Sequence, residues 1–367
     1  MSKIEELIQQ YCPQGVEFVK LKDVLKIKNG KDYKHLGYGN IPVYGSGGIL
    51  TYVDTPMYDK PSVLIPRKGS IDKLYYVDTP FWNVDTIFYT EMDKSMVMEK
   101  YVFYMLQKEH LEKLNTAGGV PSLTQRVLNE VEIPLPPLPV QEEIVRILDT
   151  FTELQAELQA ELQARQLQYQ FYRDKLLSFN NLNRGGQNEI EWKKLGEVSE
   201  LGTGSHNTQD GLKQGEYTFY TRGSEVLYLN DYDYDETAII TAGDGAGVGK
   251  VFHFVQGKYA LHQRAYRIVP DESKVLARYV YYYFGATFYN YIMRSSVSSS
   301  VVSIRKPMMV DYPIPIPSLE EQERIVAILD RFDSLVNDLS KGLPAEIEAR
   351  KQQYEYYRDK LLDFKRR

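Results

Sequence analysis

The chain has 367 residues, 43% hydrophobic and 26% charged, with a formal charge of −6. That length predicts two or more domains, and the composition excludes a wholly disordered chain. Cys12 is the only cysteine, which leaves no internal disulfide and no multi-cysteine zinc site and suits a reducing compartment.

The opening MSKIEELIQQYCPQG lacks the apolar core of a secretory signal. No stretch approaches the roughly 18 apolar residues of a membrane helix, so a cytoplasmic location and no membrane partner are expected. From Val16, short β-rich runs (NIPVYGSGGI, SVLIPRKGSI, FWNVDTIFYTE) alternate with Gly and Asp turns, and EKYVFYMLQKEHLEKL reads as a helix. This first module is α+β. A long amphipathic helix follows, with Ile144, Ile147, Phe151, Leu154, Leu158, Leu162, Tyr169, Tyr172 and Leu176 on one stripe. Pro139 fits its first turn. Inside it ELQA occurs three times, at 153–164, and each unit adds about 6 Å of rise.

A linker at 181–189 leads to a second α+β module, with EYTFYTRGSEV, TAIITAGDGAGVGKVFHF and YALHQRAYRIV as strand-rich runs and ARYVYYYFGATFYNYIM as its helix. A second long helix carries Ile325, Leu329, Phe332, Leu335, Leu339, Tyr357 and Leu361. Ser318 with Glu321 reads as its capping box, and Gly342-Leu343-Pro344 should kink or break it. The segments expected are 1–135, 136–180, 181–189, 190–316 and 317–367. The aromatic stripes of the module helices read as core, and the 30 tyrosines are expected to keep their hydroxyls at the surface.

The chain is a tandem duplication. YRDKLLSF at Tyr172–Phe179 matches YRDKLLDF at Tyr357–Phe364 in seven of eight residues. IPLPPLPVQEEIVRILDTFTEL from Ile133 aligns with IPIPSLEEQERIVAILDRFDSL from Ile314 at an offset of 181, which becomes 185 by Tyr169 and Tyr354. Near-identical helices imply near-identical partners, docked twice. Diverged modules imply two different targets, read at once; a bipartite, asymmetric DNA site would fit.

No active-site constellation emerges. GDGAGVGK fails as a phosphate loop, because Asp244 stands where a glycine is needed and Val251 follows Lys250. DYDYDE at Asp231–Glu236 lacks the turn glycine of a calcium loop and reads as a solvated acidic turn. His35, His110, His206, His253 and His262 show no metal-ligand spacing.

The motifs IPLPPLPVQEEIVRILDTF, IPIPSLEEQERIVAILDRFDSL and GLPAEIEARKQQYEYYRDKLL resemble the conserved regions of the specificity (S) subunit of type I restriction–modification enzymes. The resemblance runs over the whole chain. It implies an α+β fold: two target-recognition domains separated by two long antiparallel, coiled-coil-like helices in a pseudo-twofold circular arrangement, with Leu154–Leu158 facing Leu335–Leu339. It also implies a chain without catalysis, whose domains each read half of a bipartite double-stranded DNA target while the helices set the spacing and dock two methyltransferase subunits. Those subunits would carry S-adenosylmethionine, and restriction subunits would bring ATP and Mg chemistry; no cofactor or metal is expected on this chain. The alternative is a coiled-coil scaffold that assembles without DNA.

Neither module is basic. Val16–Glu132 has 15 Lys and Arg against 15 Asp and Glu, and Ile190–Pro313 has 13 against 14, so DNA binding must rest on local patches. The run Lys20, Lys22, Lys26, Lys28, Lys31 and Lys34 reads as solvated surface. Arg and Lys suit guanine, Asn and Gln suit adenine, and Ser or Thr suit either. The turn-rich candidates are Tyr44, Ser46, Arg67, Lys68, Asn83, Ser122, Thr124, Gln125 and Arg126 in module one. In module two they are Thr203, Ser205, His206, Thr221, Arg222, His262, Gln263, Arg264, Ser303, Arg305 and Lys306.

Overall fold

The computed structural model describes residues 2–115, 120–179, 190–295 and 303–367; the expected linker at 181–189 lies outside them. The chain forms two compact units. The first is Met1–Gln159 with Glu346–Arg367, and the second is Ala160–Ala345.

Each module is closed at its base by the same pair of short strands. Glu17–Lys20 runs antiparallel to Glu132–Leu135, with Glu17 opposite Leu135. Glu191–Lys194 runs antiparallel to Pro313–Ile316, with Glu191 opposite Ile316. A two-stranded ribbon tolerates the prolines of the IPLP and IPIP motifs because each strand keeps one unpaired edge. Between these closures the modules differ. Unit 1 has a four-stranded sheet in the order Leu25–Asn29, Ile87–Met92, Ser62–Pro66, Tyr75–Val77, and a three-stranded sheet of Gly48–Val53, Ile41–Gly45 and Trp82–Asn83. Unit 2 has a six-stranded sheet in the order Ser199–Thr203, Ala265–Pro270, Tyr234–Ala242, Phe252–Leu261, Tyr217–Tyr220, Leu227–Leu229.

The module helices are Glu99–Lys108 and Ala277–Ser295. Their aromatic faces are core, as expected, but the hydroxyls are not all at the surface. Tyr101 and Tyr279 are fully buried, and each donates to a proline carbonyl of the closing strand, Pro134 O at 2.9 Å and Pro315 O at 3.0 Å. Burial pushes both phenols far above their usual range. A second polar link is duplicated too. Tyr104 and Lys100 bond Asp149, and Tyr282 and Arg278 bond Asp330. A third is the buried glutamine of each conserved helix, Gln141 or Gln322, which bonds the backbone before the module helix.

The first long helix, Leu138–Leu176, is continuous for 39 residues. The second copy is interrupted, as Gly342-Leu343-Pro344 predicts, into Leu319–Asn337 and Leu343–Leu361. Gly342 is required there, since a Cβ would lie 2.4 Å from Ser334 O. Ser318 caps the helix by accepting from Glu321 N, but the Glu321 carboxylate turns to Arg324, so only half of the expected capping box forms.

The repeated octapeptide has a clear structural role. Leu361, Leu362 and Phe364 pack into the core of unit 1, while Leu176, Leu177 and Phe179 pack into the core of unit 2. Each copy therefore ends on the module the other copy begins. The helix contacts agree. In unit 1, Phe151 stacks on Tyr357, with centroids 5.4 Å apart; in unit 2, Tyr172 stacks on Phe332 at 5.6 Å. Early residues of one copy meet late residues of the other in both units, the order an antiparallel pairing requires.

The stripe does not serve one seam throughout. Ile144 is fully buried and Ile147 half-buried in the unit 1 core, and Ile325 and Leu329 are buried in the unit 2 core. Leu162 is buried, and Leu154 and Leu158 are half-buried. Leu335 and Leu339 are 38% and 83% exposed. Leu339 lies beyond the helix end at Asn337, and the buried position is Val336. Because Phe151 and Phe332 are half-buried, replacing either with Ala is expected to cost about 2 kcal/mol, below the roughly 3–5 kcal/mol of a fully buried ring. Urea unfolding of Phe332→Ala measures this directly.

Candidate nucleic-acid interface

In unit 1 three of the candidate segments converge. The strand Ser62–Pro66 runs into Arg67-Lys68-Gly69. Leu123 N donates to Arg67 O at 2.9 Å, Gly69 N donates to Pro121 O at 3.1 Å, and Lys68 bridges to Ser122. Gly69 has φ of +81°, a conformation that favours glycine. A β-carbon at this position would lie 3.5 Å from the Ser46 hydroxyl. Thr124 accepts from Val127 N and so caps the short helix Gln125–Asn129, which displays Arg126. Gln125 donates to Asn29 Oδ1 at 3.3 Å. Lys68 and Arg126 are exposed and make no ion pair among the described residues.

Two module-one candidates belong to the framework instead. Asn83 is fully buried and its amide donates to Ile87 O at 2.7 Å. Tyr44 lies among Tyr75 and Phe81. Half of the lysine run is unpaired: Lys26, Lys31 and Lys34 are exposed and make no ion pair among the described residues, whereas Lys28 faces Glu91 and Lys20 and Lys22 share Glu130. Their hydrogen bonds hold the Glu130 carboxyl down at about 2.

Unit 2 builds the same corner with different side chains. The strand Tyr234–Ala242 runs into Gly243-Asp244-Gly245, and Gly245 has φ of +83°. Ile304 N donates to Gly243 O at 2.8 Å, and Asp244 bridges to Ser303. Lys68 and Asp244 thus occupy equivalent positions, each against the serine that opens the next segment. Thr203, Asp244, Gln263, Arg264, Tyr266 and Ser303 line a cavity of about 220 Å³ here.

Asp244 is the centre of this corner, although in the sequence it shows only as the residue that breaks a phosphate-loop pattern. It accepts from Arg222 Nη1 at 2.7 Å and from Arg264 Nη1 at 3.0 Å. Burial opposes its ionisation, but the two guanidiniums hold its carboxyl below the usual range. Arg264 remains 60% exposed. Gln263 donates to Asn207. Arg305 and Lys306 are exposed at the start of the helix Lys306–Val310.

The remaining module-two candidates are framework. His262 is 4% exposed and accepts from Arg264 N, and burial lowers its pKa. Ser205 and His206 are tied to Asp233, which also accepts from Leu261 N at 2.7 Å. The acidic run at Asp231–Glu236 is therefore partly a structural bracket rather than a solvated turn. Thr221 accepts from Gly223 N.

Two copies of one module-plus-helix design, presenting equivalent loop corners of different chemistry, describe a duplicated sequence-specificity protein. Comparison with known proteins agrees. The family model for the type I restriction modification DNA specificity domain matches twice, at residues 13–165 and 187–349. The chain is 32% identical over 312 residues to the EcoR124I/EcoR124II type I restriction enzyme specificity subunit of Escherichia coli, covering 75% of this chain and 73% of that one. It is 30% identical over 352 residues to a putative specificity subunit of Haemophilus influenzae, covering 89% of each. The fold is shared with the type I S subunit from M. genitalium at a TM-score of 0.67, with 15% identity over 95% of this chain and 96% of that one. The chain belongs to the family of type I restriction–modification DNA specificity subunits.

Proposed function

We propose that each module reads one half of a bipartite, asymmetric DNA target through the corner formed at Lys68 and Ser122, or at Asp244 and Ser303. The observation that carries this is positional equivalence with opposite charge at one loop pair. Module one offers Lys68, Arg67 and Arg126 toward guanine edges and phosphates. Module two offers Arg264 and Arg222, held by Asp244 as a prearranged pair. The long helices set the gap and dock two methyltransferase subunits, and restriction subunits complete the assembly. Catalysis, S-adenosylmethionine, ATP and Mg belong to those partners, and the complex works in the cytoplasm. Among the described residues no helix is long and apolar enough to cross a membrane. A DNA-independent scaffold would have no use for two corners of matched geometry and unmatched chemistry.

The test is co-expression with the methyltransferase subunit and mapping of methylated bases. The parent should yield a two-part motif. Asp244→Asn weakens the hold on both arginines and should relax one or two base positions in one half-site by about 5- to 150-fold, the roughly 1–3 kcal/mol of a bidentate contact. The other half-site should not change. A motif without two parts, or a change in both halves, overturns the reading.

A further inference from the structure

Each unit carries a four-residue relay from the helix seam to the surface, and the two relays are nearly superposable in chemistry. In unit 2, Phe332 stacks on Tyr172, Tyr172 meets Phe171 edge-on at 5.4 Å and 78°, and Lys175 Nζ stands 6.0 Å from the Phe171 ring. In unit 1, Phe151 stacks on Tyr357, Tyr357 meets Tyr356 edge-on at 5.3 Å and 76°, and Lys360 Nζ stands 6.0 Å from the Tyr356 ring. Phe171 and Tyr356 are 62% and 61% exposed, and Tyr172 and Tyr357 are 38% and 37% exposed.

The exposed positions just before the ring have drifted between the copies, whereas the exposed Asp174 and Asp359 after it are kept. Leu167 corresponds to Gln352, and Gln170 corresponds to Glu355. The solvent-facing ring has stayed a ring, and the cation beside it has stayed a lysine. Solvent exposure gives a large aromatic side chain no folding advantage, whereas rigid aromatics anchor interfaces, where a few such residues carry most of the binding energy.

We infer that Phe171 and Tyr356 are the anchors by which two copies of one protein partner, the methyltransferase subunit, dock on this chain. This rests on the assembly proposed above and assigns its contact points. The occupant must meet the same ring-and-lysine pattern twice, so it is one subunit used twice. Its docking pocket is apolar, to take the ring, and acidic at the rim, to face Lys175 and Lys360. Tyr172 and Tyr357 back the anchors from the seam, so the rings arrive prearranged and lose little freedom on binding.

The test uses the full chain co-purified with its methyltransferase subunit, with stoichiometry read by native mass spectrometry. The parent should carry two copies. Phe171→Ser and Tyr356→Ser should each weaken one site by about 30-fold or more, the loss expected of a hot-spot residue, and leave a complex with one copy. The double variant should carry none. Phe171→Tyr, which places at one site the ring the other site already uses, should keep both copies. Lys175→Glu should weaken its own site, an effect that salt screening reduces. A double serine variant that still carries two copies overturns the assignment. A Phe171→Tyr variant that loses a copy also overturns it, because the loss would then be structural. A parent chain that binds no methyltransferase subunit at all defeats the assembly reading itself, and this inference with it.

Discussion

Gln141→Leu is expected to destabilise unit 1 by about 3 kcal/mol, and Gln322→Leu to do the same to unit 2. Both glutamines are fully buried at the start of the conserved helices. Gln141 Oε1 accepts from Met98 N at 2.9 Å, and its amide donates to Met96 O at 3.0 Å and Pro136 O at 2.7 Å. Gln322 repeats the pattern, accepting from Leu276 N at 2.8 Å and donating to Lys274 O at 3.3 Å and Pro317 O at 2.9 Å. Leucine has nearly the same shape but satisfies none of these groups. Each buried backbone group left alone costs about 1–3 kcal/mol, and the three share one relaxation, so the sum falls short of three full penalties. For a unit of this size about 3 kcal/mol corresponds to a fall in Tm of roughly 6–12 °C. The two substitutions should add, since their partners lie in different units. Thermal unfolding of the single and double variants checks this. A loss within about 0.5 kcal/mol would mean that water replaces the amide. The functional consequence is angular: this side chain fastens each conserved helix to the backbone that leads into its module helix. On the proposed function, a loosened clasp lets the reading corner swing relative to the helix that sets the gap.

The helices, the duplication and the break at Gly342-Leu343-Pro344 are legible in the sequence because they rest on periodicity and on backbone chemistry that neighbours cannot override. The module interiors are less legible. Strand content shows in the β-rich runs, but the split of module one into two sheets, against a single six-stranded sheet in module two, depends on pairings that no local pattern encodes. Leu335 and Leu339 continue the apolar spacing on paper, yet the helix stops at Asn337 and Val336 takes the buried place. Tyr101 and Tyr279 look like any tyrosine until the proline carbonyl above each one is seen.

The site was legible in pieces. Ser122 and Ser303 align at the repeat offset of 181, so their equivalence was readable. Lys68 and Asp244 are 176 apart and share no side-chain chemistry, so the loop pair that unites them emerges only from the hydrogen bonds of Arg67 and Gly243. A basic residue draws attention as a DNA contact, and an acidic one does not. That bias hid Asp244, whose role is to hold the arginines beside it. Asn83 fails in the opposite sense: its type fits adenine, but the fold needs it inside.

Removing Glu157–Ala160, one ELQA unit, should shorten the gap between the two half-sites and leave the half-sites themselves unchanged. The helix Leu138–Leu176 is unbroken through all three units, and the division between the compact units falls between Gln159 and Ala160, inside the second. The deletion therefore acts on the connection and on no module. Four residues remove about 6 Å of rise and about 400° of rotation, one turn and a further 40°. The apolar stripe stays nearly in phase, with Leu154 and Leu162 now a single unit apart, so folding should survive. The second crossing, at Ala345–Glu346, lies just beyond the interruption at Asp338–Gly342, where no continuous helical ladder resists a shift of one turn. At about 3.4 Å per step along DNA, 6 Å corresponds to one or two base pairs. No residue of either reading corner is touched, so the methylated motif should keep both of its halves and lose one or two unspecified positions between them. The measurement is methylation mapping of the deletion variant beside the parent, each with the same methyltransferase subunit. An unchanged gap at full activity would show that the helix does not measure distance. Altered half-sites would show that the two corners do not read DNA independently.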